Sequence, residues 1–510
     1  MSTMLGRIQS FWKQSRFANG GFLAVLLLLQ IVIHLPMINL SPRGMHVWRQ
    51  VVGHAAIQNY VKEDDRFWYP RADIRMTADD TGEIYHELPL TYWLAAKTTR
   101  AGLLPLNTAA HAVQLLFNLL LIPGAFFSFS ALGYSRQRCA LFTFLMSFSP
   151  LYLYYGPLLE PNMLGLSFFL AGAALFLPAV KKGAYGLPFA LSVFCLGLAT
   201  TAKPTFLFFG LPLAVYALPY IFQQKNYKGA ACLTVAGGFI LLVNIAIIRH
   251  AQTLYNLSPW QRQFHTPIAA PPFPESWGLV WDNVLRASTT WFLEMNLNLA
   301  AMPLLLIACA MLWKSQKDLE AQTQRKLFWW AWCVSLAIYC TLFVVRLGDH
   351  DYYIAASLPL AALISSRGAD VWLRSNRFKP LLAFILLIAV PYIGITRAYG
   401  RWNGHPQVPV SLLEHGAEIS TLIPKNELVL VDGDKTPIVF LYYLQRKGLS
   451  LGQVEGTVSD DELKPFRWLI RWNKAENLSP IAKRLKLTSV VTLDDFTVFR
   501  VVGNQEIVAH

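Results

Sequence analysis

Residues 21–50 read GFLAVLLLLQIVIHLPMINL and then SPRGMHVWRQ. The first of these two segments contains no Asp, Glu, Lys or Arg. As a helix it rises about 30 Å, the thickness of a bilayer's hydrocarbon core. Arg7, Lys13 and Arg16 precede it and no small-residue cleavage site follows, so it reads as an uncleaved anchor. The second segment turns polar and aromatic within a few residues. An anchor that runs directly into a folded aqueous segment points to a membrane protein with substantial parts outside the lipid.

The same apolar signature recurs along the chain. Stretches near 21–40, 107–132, 139–156, 161–180, 185–201, 204–222, 229–248, 298–313, 327–345, 353–366 and 380–398 predict about eleven transmembrane helices. Composition agrees: 54% of residues are hydrophobic and 15% charged, against roughly 25% charged in soluble proteins. This excludes an ordinary cytosolic enzyme, a secreted disulfide scaffold and a disordered regulator. The six cysteines fall in or at the ends of predicted spans, with no metal-ligating spacing, and read as small apolar residues.

The net charge of +14 suggests nucleic acid until its placement is followed. With the N-terminus inside, the inward segments carry Arg136, Arg138, Lys181, Lys182, Lys225, Lys228, Arg325, Lys326, Arg367 and further basic residues, with Asp318, Glu320 and Asp370 as their only acids. The long outer segment 41–106 holds eight Lys/Arg against eight Asp/Glu. That asymmetry is the positive-inside pattern. It accounts for the basicity without nucleic acid and predicts a cytoplasmic N-terminus, an outward C-terminus and a multi-pass protein of the plasma (inner) membrane.

The expected fold is therefore an all-α polytopic membrane domain over 1–402, with outer loops at 41–106 and 249–297, and a small extracytoplasmic α/β domain over 403–510. In that tail, 427–432, 467–470, 488–493 and 496–502 read as strands and 437–447 as a helix. The first loop is expected to hold two amphipathic helices, one from about 44 to 61 and one starting near Tyr85. No internal repeat or low-complexity stretch occurs.

Ionisable residues at one membrane boundary are the functional signal in such a chain. On the outer side these are His46, Arg49, Asp73, Asp79, Asp80, His86, Glu87, Glu160, Lys203, His350 and Asp351. Carboxylates can take protons, while Arg and Lys can hold phosphate. Bland readings compete: Asp79 and Asp80 as a solvated turn, Glu160 as a helix N-terminal charge, Lys203 as a snorkelling side chain, and His350 with Asp351 as a structural pair.

In order, His46-Val-Trp48-Arg49-Gln50, Tyr69-Pro70-Arg-Ala-Asp73, Glu87-Leu-Pro89-Leu-Thr-Tyr92, Leu159-Glu160-Pro161-Asn162, Thr201-Ala202-Lys203-Pro204 and His350-Asp351-Tyr352-Tyr353 resemble the GT-C membrane glycosyltransferases. The nearest groups are family 39-like proteins, relatives of protein O-mannosyltransferases and of the lipid A aminoarabinose transferase. The resemblance covers roughly residues 20–400. It implies inverting transfer of a sugar from a polyprenyl-phosphate donor to an extracytoplasmic acceptor (glycan, lipid or protein), in cell-envelope glycosylation. It implies Arg49 and Lys203 on the donor phosphate, and Gln50, Glu160, His350, Asp351 and Tyr352 as substrate-binding residues.

The resemblance requires no cofactor and leaves a divalent metal open. Many relatives carry an acidic residue at the start of the first-loop helix, and none lies between Arg43 and Lys62 here. The base is then expected at Glu87 first, Asp73 second and His46 third. The rival readings are a polymer ligase using a polyprenyl-diphosphate donor, and a lipid or sugar transporter.

Overall fold

The computed structural model describes residues 16–77, 80–84, 87–223, 225–257, 277–312, 323–374, 379–404, 407–453, 458–474 and 479–504. They fall into two compact units. One draws on the stretches through Asn39, Gln114–Ile245 and Ala270–Gly400, the other on Leu40–Val113, Ala246–Ala269 and the residues from Arg401 on. The tail thus shares a unit with the first outer loop.

The first unit is helical. Its most enclosed long helix is Pro161–Lys182, and the sequence sets both ends. Pro161 occupies the first turn, where a missing N–H costs nothing, and Glu160 caps it. Lys181 and Lys182 sit in the last turn, and Gly183 ends the helix at φ 64°, a left-handed conformation that glycine adopts without strain. Small residues let neighbouring helices approach its backbone. A Cβ on Gly124 would lie 2.7 Å from the Ala171 nitrogen, and one on Gly172 would lie 2.8 Å from Leu196.

By length and apolarity, six helices among the described residues can cross a membrane: Asn19–Met37, Leu106–Ala131, Pro161–Lys182, Pro204–Gln223, Tyr227–Asn256 and Lys379–Asn403. Leu187–Ala202 and Leu299–Ala310 are shorter apolar helices. The expected span at 139–156 is split into Arg136–Ser147 and Pro150–Tyr155, because Pro150 lacks the N–H that would continue the helix. The stretch expected at 353–366 opens as a 3-10 turn, Asp351–Ser357, before becoming the helix Leu358–Arg374. Two of the eleven apolar stretches are broken in this way, while the one at 327–345 is a continuous helix, Thr323–Leu342.

The second unit holds a five-stranded sheet in the order β2-β1-β3-β5-β4, with β1 Leu428–Asp432, β2 Gly448–Ser450, β3 Phe466–Trp472, β4 Leu485–Leu493 and β5 Phe496–Asn504. β1 pairs in parallel with β2 and β3, while β5 runs antiparallel to β3 and β4. β2 is three residues long and too short for a periodicity signal; it follows a helix, Val439–Tyr443, that is shorter than the expected 437–447. The loop helix Val47–Lys62 is buried nearly all round, not amphipathic, because Val51, Val52 and Ala55 pack into the core of the sheet domain.

Gly448 joins the two parts of this unit. Its N–H donates to the Asp73 carbonyl at 3.1 Å and its carbonyl accepts from the Arg75 N–H at 2.7 Å, so Ile74 forms a parallel bridge beside β2. A Cβ on Gly448 would sit 1.8 Å from the Val429 carbonyl oxygen. Gly448→Ala is expected to cost about 2–4 kcal/mol. It should open the 71–76 segment to proteolysis in purified protein, and wild-type protection of that segment in the variant would contradict this account.

Candidate active site

The ten residues expected as base, phosphate-binding or substrate-binding groups divide between the units. His46, Arg49, Gln50, Asp73 and Glu87 lie in the second; Glu160, Lys203, His350, Asp351 and Tyr352 lie in the first. His86 and Asp79 lie outside the described residues.

In the second unit, His46 enters the helix Val47–Lys62 in a left-handed conformation, φ 57° and ψ 38°. This is uncommon outside glycine, although His is among the residues that tolerate it. Gln50 uses both ends of its carboxamide on Arg43, accepting from the N–H at 3.3 Å and donating to the carbonyl at 2.8 Å, which locks the turn that carries His46. One helical turn in, the Arg49 guanidinium donates to the Glu87 carboxylate at 2.6 Å. Both side chains are 15% exposed, enough to keep contact with water and a ligand. Immediately after Glu87, Leu88 and Pro89 line a shallow groove with Trp68, Pro70, Ile247, His250, Ala251 and Leu254. The lining is apolar apart from His250, whose Nε2 lies 2.8 Å from the Trp68 carbonyl. His250 carried no sequence signal, since it follows an apolar span as any loop residue could.

Asp73 is placed differently. It is 2% exposed; Oδ1 accepts from Asn59 at 3.1 Å, while Oδ2 is buried without a hydrogen-bond partner among the described residues. Burial pushes its carboxyl up to about 6, against opposing pulls from the Asn59 hydrogen bond and from Arg75 and Lys62. A carboxyl held higher in the folded chain than its ordinary 3.8 favours folding most when protonated. Stability is then full below about pH 4 and is lost as the pH rises through about 6. The effect is worth up to roughly 3 kcal/mol. Thermal unfolding of the purified protein from pH 4 to 7 should show this loss, and Asp73→Asn should flatten it. An unchanged slope in the variant would remove Asp73 as its source.

Asp80 turns inward on its own loop, accepting from the Gly82 N–H at 2.8 Å and the Met76 N–H at 3.1 Å. That is a turn-forming role.

The first unit gathers its five candidates around aromatic rings. Glu160 is 3% exposed and caps Pro161–Lys182: Oε1 accepts from the Asn162 backbone at 2.9 Å and its side chain at 2.6 Å, and Oε2 from the Met163 N–H at 2.9 Å. Lys203, held extended before Pro204, lies near enough to attract this carboxylate and places its Nζ 5.0 Å above the Tyr353 ring. Asp351 is fully buried and accepts from the Tyr155 hydroxyl at 2.5 Å. Tyr352 stacks on Tyr353 with centroids 5.2 Å apart, and His350 meets Tyr352 edge-on at 5.3 Å. Tyr339 donates to the Tyr353 carbonyl at 2.9 Å. Tyr155 and Tyr339 are contributors that the charge survey missed, because tyrosines in apolar runs read as interfacial packing. Among the described residues no three His, Cys, Asp or Glu side chains gather to hold a metal ion.

These elements can be compared with known proteins. A scan of protein families finds no match, and a search of curated proteins finds none. Solved structures do match. ArnT from Cupriavidus metallidurans in the apo state aligns over 95% of this chain and 98% of its own, at 13% identity and TM-score 0.62. The archaeal oligosaccharyltransferase AglB from Archaeoglobus fulgidus, in complex with an inhibitory peptide and a dolichol-phosphate, aligns over 97% of this chain and 75% of its own, at 10% identity and TM-score 0.56. The arabinofuranosyltransferase AftD from Mycobacteria aligns over 96% of this chain and 40% of its own, at 14% identity and TM-score 0.53.

The chain has the GT-C fold. ArnT has also been solved bound to undecaprenyl phosphate, and that structure aligns over 94% of this chain at TM-score 0.58. Within the GT-C fold of this chain, the first outer loop carries the Arg49–Glu87 pair and the helix ends of the first unit carry Glu160, Lys203 and Asp351. The fold also matches the multi-pass membrane character read from the apolar helices.

Proposed function

We propose that the protein is an integral membrane glycosyltransferase that moves a sugar from a polyprenyl-phosphate donor to an extracytoplasmic acceptor hydroxyl, inverting the anomeric carbon. The observation that carries the reading is the Arg49–Glu87 pair, a cation and a carboxylate in contact with each other, with Glu87 directly preceding Leu88 and Pro89 of a shallow apolar groove. The GT-C fold supports it, since the matching structures are of lipid-linked glycosyltransferases.

In this reaction the acceptor oxygen attacks the anomeric carbon. The carbon–oxygen bond to the phosphate breaks with its electron pair going to the phosphate oxygen, and the acceptor proton passes to the Glu87 carboxylate. A phosphate is a good leaving group once its charge is held, so cations matter more than a proton donor. Arg49 takes that role. When donor phosphate binds Arg49, the guanidinium is drawn from Glu87 and the carboxylate is released as base. Lys203 is assigned the donor phosphate on its own surroundings: a cation against Tyr353 with a buried carboxylate near it. Asp73, closed off at the edge of the sheet, stands behind Glu87 as base, and His46 behind both. Glu160, His350, Asp351 and Tyr352 shape the aromatic setting of Lys203, and Gln50 sets the turn of His46. The outer loops and the tail face the extracytoplasmic side of the inner membrane, with the N-terminus cytoplasmic, as the loop charges require.

The test is transfer of radiolabelled sugar by purified protein given polyprenyl-phosphate donors one at a time, with hydrolysis to free sugar scored alongside. Turnover of one donor supports the reading and names the sugar. Turnover confined to diphosphate-linked donors would favour the ligase instead.

A further inference from the structure

The first unit carries a second concentration of charge at the helix ends away from Asp351 and Tyr353. Helix Arg136–Ser147 starts there and leads on to Pro150–Tyr155, whose Tyr155 reaches Asp351. Helix Thr323–Leu342 also starts there and carries Tyr339, which reaches Tyr353, near its far end. The two helix N-termini hold no acidic residue in their first turns; Arg138 and Arg325 stand there instead. A helix N-terminus carries partial positive charge, so cations at that position are disfavoured unless an anion joins them.

These arginines do not splay into solvent as loop charges ordinarily would. The Arg138 guanidinium lies 4.5 Å from the centroid of the Tyr134 ring and that of Arg325 lies 4.4 Å from it. Tyr134 is itself stacked on Phe129 at 3.7 Å, which fixes the platform. Arg325 also donates to the Gly133 carbonyl at 3.4 Å. Arg367, from helix Leu358–Arg374, is close enough to act electrostatically on both Tyr134 and Arg138. The carboxylate acting on Arg138 is that of Asp370, which is buried. Arg138 Nε is buried and has no hydrogen-bond partner among the described residues. Two guanidiniums thus meet on one ring, with a third acting on it electrostatically, where the carboxylate of Asp370 acts on Arg138. The positive-inside pattern accounts for basic residues at this end, but not for two of them meeting on one ring.

We propose that Arg138, Arg325 and Arg367 form a binding site for the phosphodiester headgroup of an anionic phospholipid from the adjoining leaflet. The guanidinium fork matches phosphate oxygens. Tyr134, the ring on which Arg138 and Arg325 lie, follows three residues after Leu106–Ala131, a helix long and apolar enough to cross a membrane, which sets the site near headgroup depth, where basic pockets between helices take such lipids. The inference rests on the chain spanning a membrane, not on its being a glycosyltransferase.

The experiment is native mass spectrometry of the full-length protein released from nanodiscs of phosphatidylglycerol in phosphatidylcholine. Wild type should retain phosphatidylglycerol over phosphatidylcholine. The triple variant Arg138→Gln, Arg325→Gln, Arg367→Gln should lose that retention by about tenfold or more, and Arg325→Gln alone by less. A charge-matched control, Lys181→Gln, Lys182→Gln, Lys228→Gln, should keep it. Equal loss in both triple variants would reduce the effect to the general charge of this face and overturn the site. Equal retention of both lipids by wild type would overturn it as well. Displacement of the lipid by added inorganic phosphate would mean that the site reads a free anion and would overturn the lipid assignment. Donor turnover in the triple variant should stay at the wild-type level, so failure here and failure of the glycosyltransferase reading are separable.

Discussion

Glu87→Gln is expected to lower sugar transfer by roughly 10²- to 10⁴-fold, the usual contribution of a positioned general base. Gln keeps the size of the side chain and a hydrogen bond to Arg49 but cannot take a proton at neutral pH. The folded state should barely notice. The pair it weakens is partly exposed, and pairs of that kind contribute about 1 kcal/mol or less. The readout is therefore initial transfer rate at saturating donor, beside thermal midpoint. Loss of rate at an unchanged midpoint is the expected result. Full activity in this variant would remove Glu87 as the base and move the role to Asp73. Glu87→Asp separates proton transfer from pairing: it keeps the carboxylate but draws it back by one methylene, so partial activity is expected.

Lys203→Gln should lower transfer by about 10²- to 10³-fold through lost charge stabilisation of the departing phosphate, with Lys203→Arg retaining part of it. The complication is structural, because Glu160 is buried and Lys203 contributes attraction to it. Removing the cation leaves that carboxylate less compensated, and loss of a buried partner destabilises. The double variant Glu160→Gln, Lys203→Gln distinguishes the two effects. If Lys203 serves only Glu160, the double variant should recover stability and activity together. With Lys203 on the phosphate, stability should recover and transfer should not. Coupling between the two positions is read from the four-corner cycle.

Much of the candidate site could be read in the sequence because charged groups stand out against an apolar chain. Arg49, Glu87, Glu160, Lys203 and Asp351 were each visible as ionisable residues at the ends of apolar runs. What could not be read was contact. The Arg49–Glu87 pair joins residues from two loop segments, and Tyr155 reaches Asp351 from a helix far earlier in the chain. No spacing rule links such positions. The short strand β2 escaped for a related reason: three residues carry no periodicity, and Gly448 is in a strand because Val429 and Ile74 flank it.

The sequence by itself determined that this chain is a membrane protein, which segments are apolar enough to lie in lipid, and which side of the loops is basic. Each of those is a local property. Transfer of a side chain into hydrocarbon depends on that side chain, and a helix satisfies its own backbone without distant partners. Only the tertiary structure decided that Glu87 stays partly exposed and paired with Arg49 while Asp73 is shut in against Asn59. Burial and pairing are set by whatever the rest of the chain brings to a position, and two carboxylates of the same loop differ only in those neighbours.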